Sequence, residues 1–325
     1  MTMPVRIVAV GTNFITDRFI EAARRVPEAA VVGILSRTEE RARAYAAEWD
    51  ISTPYWSEAA VLADPCVDAL YIATPNFAHF ALARDAILAG KHVLVEKCIT
   101  ECHADFVTLR TLAEQHGVVL LEAMRPDFDA AHHAMAAALH EVGRLRRASL
   151  EFCQYSSRYD AFLRGEVLRA FDPSIGNCAL ADIGIYPMHV AVSLFGAPET
   201  VGSHSVFLHN GFEGMGTATL SYADGFFCNI TYSKITDGVR PSIIEGESGT
   251  ITINHITTPT RVVLRPRHAP ERVIYESEAP SDSMAGEIAA FSQMVLGAQS
   301  PEIYLDRTDL AMRLYDTIVR QNGIF

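Results

Sequence analysis

The first 125 residues alternate two rhythms. Short unbroken apolar runs, VRIVAV (5–10), AVVGIL (30–35), VDALYIA (67–73), HVLVE (92–96) and VVLLE (118–122), are separated by segments whose apolar positions recur at helical spacing. A run without polar alternation is what a strand covered on both faces requires. Between the runs, Thr38-EERARAYAAEW places its acids first. The segments starting at Asn76 and Thr100 end on Gly90 and Gly117, residues at which a helix stops. Strand, helix and strand in succession predict right-handed crossovers and a doubly wound parallel sheet of the Rossmann type.

After residue 140 the pattern changes. RRASLEFCQYS, TVGSHSVFLHN, MGTATLSYADG, FFCNITYSK, SIIEGESGTITIN and RVVLRP read as strands, many of them separated by Gly, Asn or Asp. One helix interrupts them, from Ala179 to Phe195, and helices return near 284–298 and 306–321. The pattern predicts an α+β domain with a large, mainly antiparallel open sheet and helices on one face. Pro126, in MRPDFD (124–129), breaks the pattern and marks a boundary. Residues 1–125 are expected to bind a dinucleotide, and residues 126–325 to bind substrate and to oligomerise. An apolar open sheet face would drive self-association, so a homodimer or a dimer of dimers through the C-terminal sheet is expected.

Composition narrows the function classes. A chain of 325 residues with 49% hydrophobic and 20% charged residues has enough apolar material for two cores. Its formal net charge of −12 disfavours nucleic acid and anionic membrane surfaces as partners. Arg37, Arg41 and Arg43, and Arg144, Arg146 and Arg147, form only short basic clusters. No apolar run is long enough to cross a bilayer, and MTMPVRIVAVG lacks the form of an export signal, so a cytoplasmic location is expected. The six cysteines lack the spacing of a disulfide scaffold. Cys98, Cys102 and His103 have no matching second half-site, so no metal is expected.

The first strand runs into Gly11-Thr12-Asn13-Phe14-Ile15-Thr16. A dinucleotide fingerprint asks for glycine at positions one, three and six, and only Gly11 remains. Asn13 is a tolerable substitute because Asn reaches positive φ more readily than most residues. Thr16 must pack closer to the sheet than glycine would. The position of the loop, after strand one and opening helix one, supports nucleotide binding. The second strand ends at Ser36-Arg37-Thr38 with no acid to hold a ribose 2′-hydroxyl. Serine and arginine suit a 2′-phosphate, so NADP is preferred over NAD. The plainer reading makes Ser36 a helix cap with Glu39 completing a capping box.

Three stretches resemble the Gfo/Idh/MocA oxidoreductases: ATPNFAHFALARDAILAGKHVLVEK (73–97), LEAMRPDF (121–128) and ALADIGIYPMHVAVSLFG (179–196). Asp182-x-x-x-Tyr186 is similar to the motif of the tyrosine-bearing members, namely dimeric dihydrodiol dehydrogenase, NADP D-xylose dehydrogenase and glucose–fructose oxidoreductase, rather than inositol dehydrogenase. The resemblance implies hydride transfer between a nicotinamide and a sugar, polyol or vicinal diol. It also implies that Thr74, Pro75, Asn76, Glu96 and Lys97 line the cofactor, with Asn76 on the nicotinamide ribose. A non-catalytic NADP-binding regulator of the same fold is the alternative.

Residue chemistry supplies roles beside the resemblance. Lys97 at a strand's carboxyl end points into the crevice where open α/β sheets bind ligands. Asp182 and Tyr186, four apart on a helix, share a face. Tyrosine titrates near 10, and a neighbouring ammonium lowers that value. Tyr186 is therefore the expected acid/base, Lys97 its electrostatic partner or an alternative donor, and Asp182 the group orienting Lys97. His79 either lines the cofactor side or packs, and His189 either meets substrate or is a core histidine. Arg125, Gln154, Tyr155, Arg158 and Tyr159 are further candidates for a polyol. Cys98 stands where the family has proline; a non-proline cis bond costs about 2.5–4 kcal/mol, so a trans Lys97–Cys98 peptide is expected.

Overall fold

The computed structural model describes residues 3–166, 168–281 and 283–325 and divides into two units. The first holds residues 1–125 and 282–309; the second holds 126–281 and 310–325.

In the first unit six strands, β1 (Val5–Val10), β2 (Ala29–Leu35), β3 (Thr53–Tyr55), β4 (Ala69–Ile72), β5 (His92–Glu96) and β6 (Leu120–Ala123), form one sheet in the order β3-β2-β1-β4-β5-β6. Every pairing is parallel. The continuous apolar runs are explained by burial on both faces: Ile7, Val8, Ala9, Leu70, Tyr71, Val93, Leu94 and Val95 are fully buried. The helices between them are α1 (Phe14–Ala23), α2 (Glu39–Glu48), α3 (Glu58–Ala63), α4 (His79–Leu88) and α5 (His103–His116). The doubly wound parallel sheet is as expected. β3 was not anticipated; three residues including Pro54 give no periodicity to read. The helix Ser283–Val295 was grouped by sequence with the second half. It packs against α1 and β2, so this unit recruits chain from far along the sequence.

The second unit is built on eight strands: β7 (Leu145–Cys153), β8 (Thr200–Phe207), β9 (Glu213–Ser221), β10 (Phe227–Ser233), β11 (Ser242–Gly246), β12 (Gly249–Ile253), β13 (Arg261–Pro266) and β14 (Arg272–Glu276). Their order is β14-β13-β12-β11-β7-β10-β9-β8. Only β7 and β10 pair in parallel, so the sheet is mainly antiparallel, as expected. SIIEGESGTITIN, read as one strand, is the hairpin β11–β12. Helices α6 (Ala130–Ala138), α7 (Tyr159–Leu163) and α8 (Ile185–Phe195) belong to this unit, as does the helix Glu302–Asn322 from residue 310 onward. The covered face of the sheet carries Ala148, Leu150, Ala218, Leu220, Ile230, Tyr232, Ile244 and Ile251, all buried. The opposite face carries Ser149, Thr217, Thr219, Asn229, Thr231, Thr250 and Thr252, none of them buried. Apolar Met215, Phe227 and Ile243 and charged Arg147, Glu151 and Glu245 share that face, so it is mixed rather than uniformly apolar. Among the described residues no helix is long and apolar enough to cross a membrane.

Candidate active site

The loop after β1 is shaped by one glycine. Gly11 has φ +114°, and a Cβ there would lie 2.5 Å from the Ala73 carbonyl oxygen, so the turn admits no side chain. Asn13 works differently from the expectation. Its φ is −133°, not positive, and its Oδ1 caps α1 by accepting from Ile15 N at 3.0 Å and Thr16 N at 3.3 Å. Its Nδ2 donates to Ala73 O at 2.7 Å. Asn stands at this position as a cap and tie. Thr16 is fully buried, consistent with close packing on the sheet. Phe14 is largely exposed and Ile15 half-buried at the start of α1.

The end of β2 also differs from the plainer reading. Thr38, not Ser36, caps α2, accepting from Arg41 N at 3.3 Å. The side chains of Ser36 and Arg37 make no hydrogen bond or ion pair among the described residues, and Arg37 is exposed. Arg41, noted in the sequence only as part of a short basic cluster, joins α2 to the loop: Nε donates to Thr12 Oγ1 at 3.2 Å and Nη2 to Thr12 O at 3.3 Å. Its guanidinium lies 5.1 Å from the centre of the Tyr45 ring. Arg43 is spent on Glu39 at 2.7 Å.

At the ends of β4 and β5 the candidates separate. Thr74 Oγ1 is buried with no hydrogen-bond partner among the described residues, and Asn76, half-buried after Pro75, leaves its amide unengaged. His79 does not line a cofactor surface: it is fully buried. Its Nδ1 lies 2.9 Å from Cys98 O and its Nε2 2.9 Å from Thr74 O. Burial holds its pKa below the ordinary histidine range, while the two carbonyls pull the other way. Glu96 is likewise turned inward. Its Oε1 accepts from Tyr71 Oη at 2.6 Å, and burial raises its pKa despite that bond. Both side chains are thus turned inward onto protein partners. Lys97 follows β5, half-buried. The Lys97–Cys98 peptide is cis, where trans was expected. The flanking groups are fixed by His79 on Cys98 O and by Glu122 Oε1, which accepts from Ile99 N at 3.0 Å.

In the second unit, Asp182 lies in a π turn, Leu180–Gly184, that leads into α8, and Tyr186 lies in α8 itself. A π turn holds more residues than an α turn, so a spacing of four still returns to nearly the same face. The turn is anchored from below. Leu180 N donates to Glu213 Oε2 at 2.9 Å, and Ser205 Oγ to Glu213 Oε1 at 3.2 Å. Burial pushes the Glu213 carboxyl up. Gly184 and Gly216 hold Tyr232 between them: a Cβ on the first would lie 2.8 Å from its Cγ, and on the second 2.3 Å from its Oη. Tyr186 is nearly buried, its ring edge-on to Phe152 at 5.8 Å.

The sequence expects Asp182 to orient Lys97. Within the second unit Asp182 also has a cation that the sequence did not mark: Lys234 Nζ lies 2.9 Å from its Oδ2. Nothing in the sequence marked Lys234, a lone lysine after a strand. His189 is buried, as a core histidine would be. Tyr155 and Tyr159 pack edge-on at 5.4 Å, Tyr155 Oη donating to Asp160 at 2.6 Å, while Gln154 and Arg158 are exposed. Arg125 is half-buried in the first unit, its charge favouring ionised Glu96. His103 Nε2 lies 2.8 Å from Asp309 Oδ1.

These features are those of a nucleotide-binding oxidoreductase fold, and the chain belongs to the Gfo/Idh/MocA oxidoreductase family. Residues 5–124 match the family model described as an oxidoreductase family with an NAD-binding Rossmann fold, and residues 132–252 match the family's C-terminal domain. The chain is similar to scyllo-inositol 2-dehydrogenase (NADP(+)) IolU of Bacillus subtilis, 41% identical over 81% of this chain and 80% of that protein. It is also similar to D-xylose 1-dehydrogenase (NADP(+)) 2 of Haloferax volcanii, 27% identical over 95% and 94% of the two chains. Among solved structures, KijD10, a 3-ketoreductase from Actinomadura kijaniata in complex with NADP and TDP-benzene, aligns with a TM-score of 0.85 at 24% identity, covering 98% of each chain. At that identity the likeness is one of fold. The motif comparison set Tyr186 apart from inositol dehydrogenase, yet the 41% relative is named for an inositol.

Proposed function

We propose that the protein is an NADP(H)-dependent dehydrogenase or reductase acting on a carbinol or carbonyl carbon of a sugar, polyol or vicinal diol. The observation that carries the cofactor choice is the end of β2. Ser36 and Arg37 present a free hydroxyl and an unengaged guanidinium, and residues 36–38 include no carboxylate. A carboxylate there would repel a 2′-phosphate, whereas a guanidinium matches its charge and its acceptors. The orphaned Thr74 hydroxyl and the unengaged Asn76 amide fit a polar ligand at the carboxyl end of β4. NADP(+) in the names of both curated relatives supports the same choice, and their inositol and xylose support a polyhydroxylated substrate.

When bound, the nicotinamide supplies the hydride acceptor or donor. The chain supplies the rest. Gly11, Thr12, Asn13, Phe14 and Ile15 form the pyrophosphate loop, and Thr74, Pro75 and Asn76 the nicotinamide side. Tyr186 Oη takes the carbinol proton in oxidation and returns it in reduction. Lys97 Nζ is its electrostatic partner or the alternative donor. Asp182 orients the charged groups of the site. Residues 1–125 carry the nucleotide function and residues 126–325 the substrate function and self-association as a dimer or dimer of dimers, in the cytoplasm. The test is a fluorescence titration with NADPH and NADH, followed by a panel of polyols, carbonyl sugars and diols read at the nicotinamide absorbance. Tighter NADPH and turnover of a polyhydroxylated substrate are expected. Equal affinities, or no turnover across the panel, would refute it.

A further inference from the structure

The chain contains three lysines, Lys91, Lys97 and Lys234, against 24 arginines. None of the three is exposed. Lys91 is a clamp, its ammonium donating to Asp64 O at 2.7 Å and Val67 O at 2.8 Å. Lys97 has a proposed role above. Lys234 has none, yet two oxygens and two aromatic rings surround its ammonium.

Lys234 follows β10, and its side chain is 5% exposed while that of Asp182 is 40% exposed. Its ammonium donates to Ala170 O at 2.7 Å and meets Asp182 Oδ2 at 2.9 Å. The same nitrogen lies 5.0 Å from the centre of the Phe171 ring and 5.1 Å from that of Phe212. Those rings belong to a buried aromatic cluster with Phe162. An ammonium enclosed in this way is stabilised by two oxygens and two ring faces at once. A compact ammonium on a slender stem suits this confined space, and a planar guanidinium fork does not. The arrangement is asymmetric: the cation is buried and fixed, and the carboxylate reaches it from a half-open position. The fixed member sets the position of the other.

We propose that Lys234 is a positioning residue for Asp182, holding its carboxylate at one place on the π turn and tying that turn to the segment around Ala170 and Phe171. The functional part rests on the proposed dehydrogenase reading. Because Asp182 is neutralised by a resident cation, it presents hydrogen-bond acceptors without a net demand for a positively charged ligand. That suits a neutral polyhydroxylated substrate better than an amine.

Two measurements test this in the full-length protein. The first is independent of turnover: acylation by acetic anhydride followed by mass spectrometry, which must distinguish only three lysines and the amino terminus. Lys234 should react far more slowly than the amino terminus, and Asp182→Asn should speed it several-fold. Reaction of Lys234 as fast as the amino terminus, or indifference to Asp182→Asn, overturns the proposal. The second uses the substrate found by the panel. Lys234→Met should lower kcat/KM at least about tenfold while NADPH affinity holds. Added to Asp182→Asn, it should change kcat/KM by no more than about twofold, because both substitutions remove one pair. Multiplying effects would mean Lys234 does not act through Asp182, and overturn the role. If the methionine variant melts early, Lys234→Gln keeps an N–H for Ala170 O and serves in its place. If nothing turns over, the dehydrogenase reading falls and the acylation result alone decides the pair.

Discussion

Replacing Gly184 by alanine sets two known effects against each other. Alanine favours a helical backbone over glycine by about 0.8–1 kcal/mol. The added Cβ, however, would lie 2.8 and 2.9 Å from Cγ and Cδ1 of Tyr232 and 3.1 Å from Leu180 Cδ1. Carbon atoms pack at about 3.5–4.0 Å, so ring or helix must give way by roughly 0.7 Å. Tyr232 has no exposed surface, and its far end is closed by Gly216, whose own Cβ would fall 2.3 Å from the hydroxyl. The ring cannot retreat along its length. Overpacking of this kind costs about 1–3 kcal/mol. The net expectation is a loss of about 1 kcal/mol, read as a lower urea midpoint by circular dichroism. In a Tyr232→Ala background Cγ and Cδ1 are gone, and the same substitution should become neutral or stabilising relative to that background. A higher midpoint for Gly184→Ala in the otherwise unchanged protein would refute the account of a pinned ring.

Three other outcomes are expected. Ser36→Asp should weaken NADPH and strengthen NADH in fluorescence titrations, since one charged contact is worth about 1.5–3 kcal/mol, or more than about tenfold; an unchanged NADPH constant would remove Ser36 from the 2′-phosphate site. Tyr186→Phe and Lys97→Met should each lower turnover by about 10²–10⁴-fold with NADPH affinity little changed, and near-normal turnover in both would dismiss the assignment. Glu213 has a folded pKa raised by burial, so the folded state holds its proton more tightly than the unfolded chain. Its contribution is fully present below the unfolded value of about 4.3 and lost as pH rises through the folded value. Melting temperatures measured from pH 4 to 8 should therefore favour Glu213→Gln progressively as pH rises, and a difference independent of pH would contradict the raised pKa.

The sheets were legible because burial leaves a mark in sequence. Strands covered twice read as unbroken apolar runs, and β1, β2, β4, β5 and β6 were found that way. β3 has three residues and a proline, too few for any pattern. The β11–β12 hairpin was hidden because its turn, Glu247-Ser248, interrupts an otherwise continuous strand-like stretch. Site residues divide along the same line. Lys97 and Ser36 stand out by ending a strand. The burial of His79 and Glu96 depends on which way a side chain turns, and one-dimensional spacing does not carry that. Asn13 was found for the wrong reason: its side-chain cap, not its backbone freedom, explains it. Lys234 was invisible because its partner lies 52 positions away on a different element.

The π turn at Leu180–Gly184 has a consequence for how this protein tolerates insertions and deletions. In a regular helix each residue turns the chain by about 100°, so losing one there swings everything before it round the axis. A π turn spreads one further residue over nearly the same rotation. Removing one residue from it would let it close into ordinary α geometry with little rotation of the chain on either side. Asp182 and Tyr186 would then stand three apart, still neighbours on one face. A single-codon loss at this point would therefore be absorbed, whereas the same loss within α8 would act as a rotation.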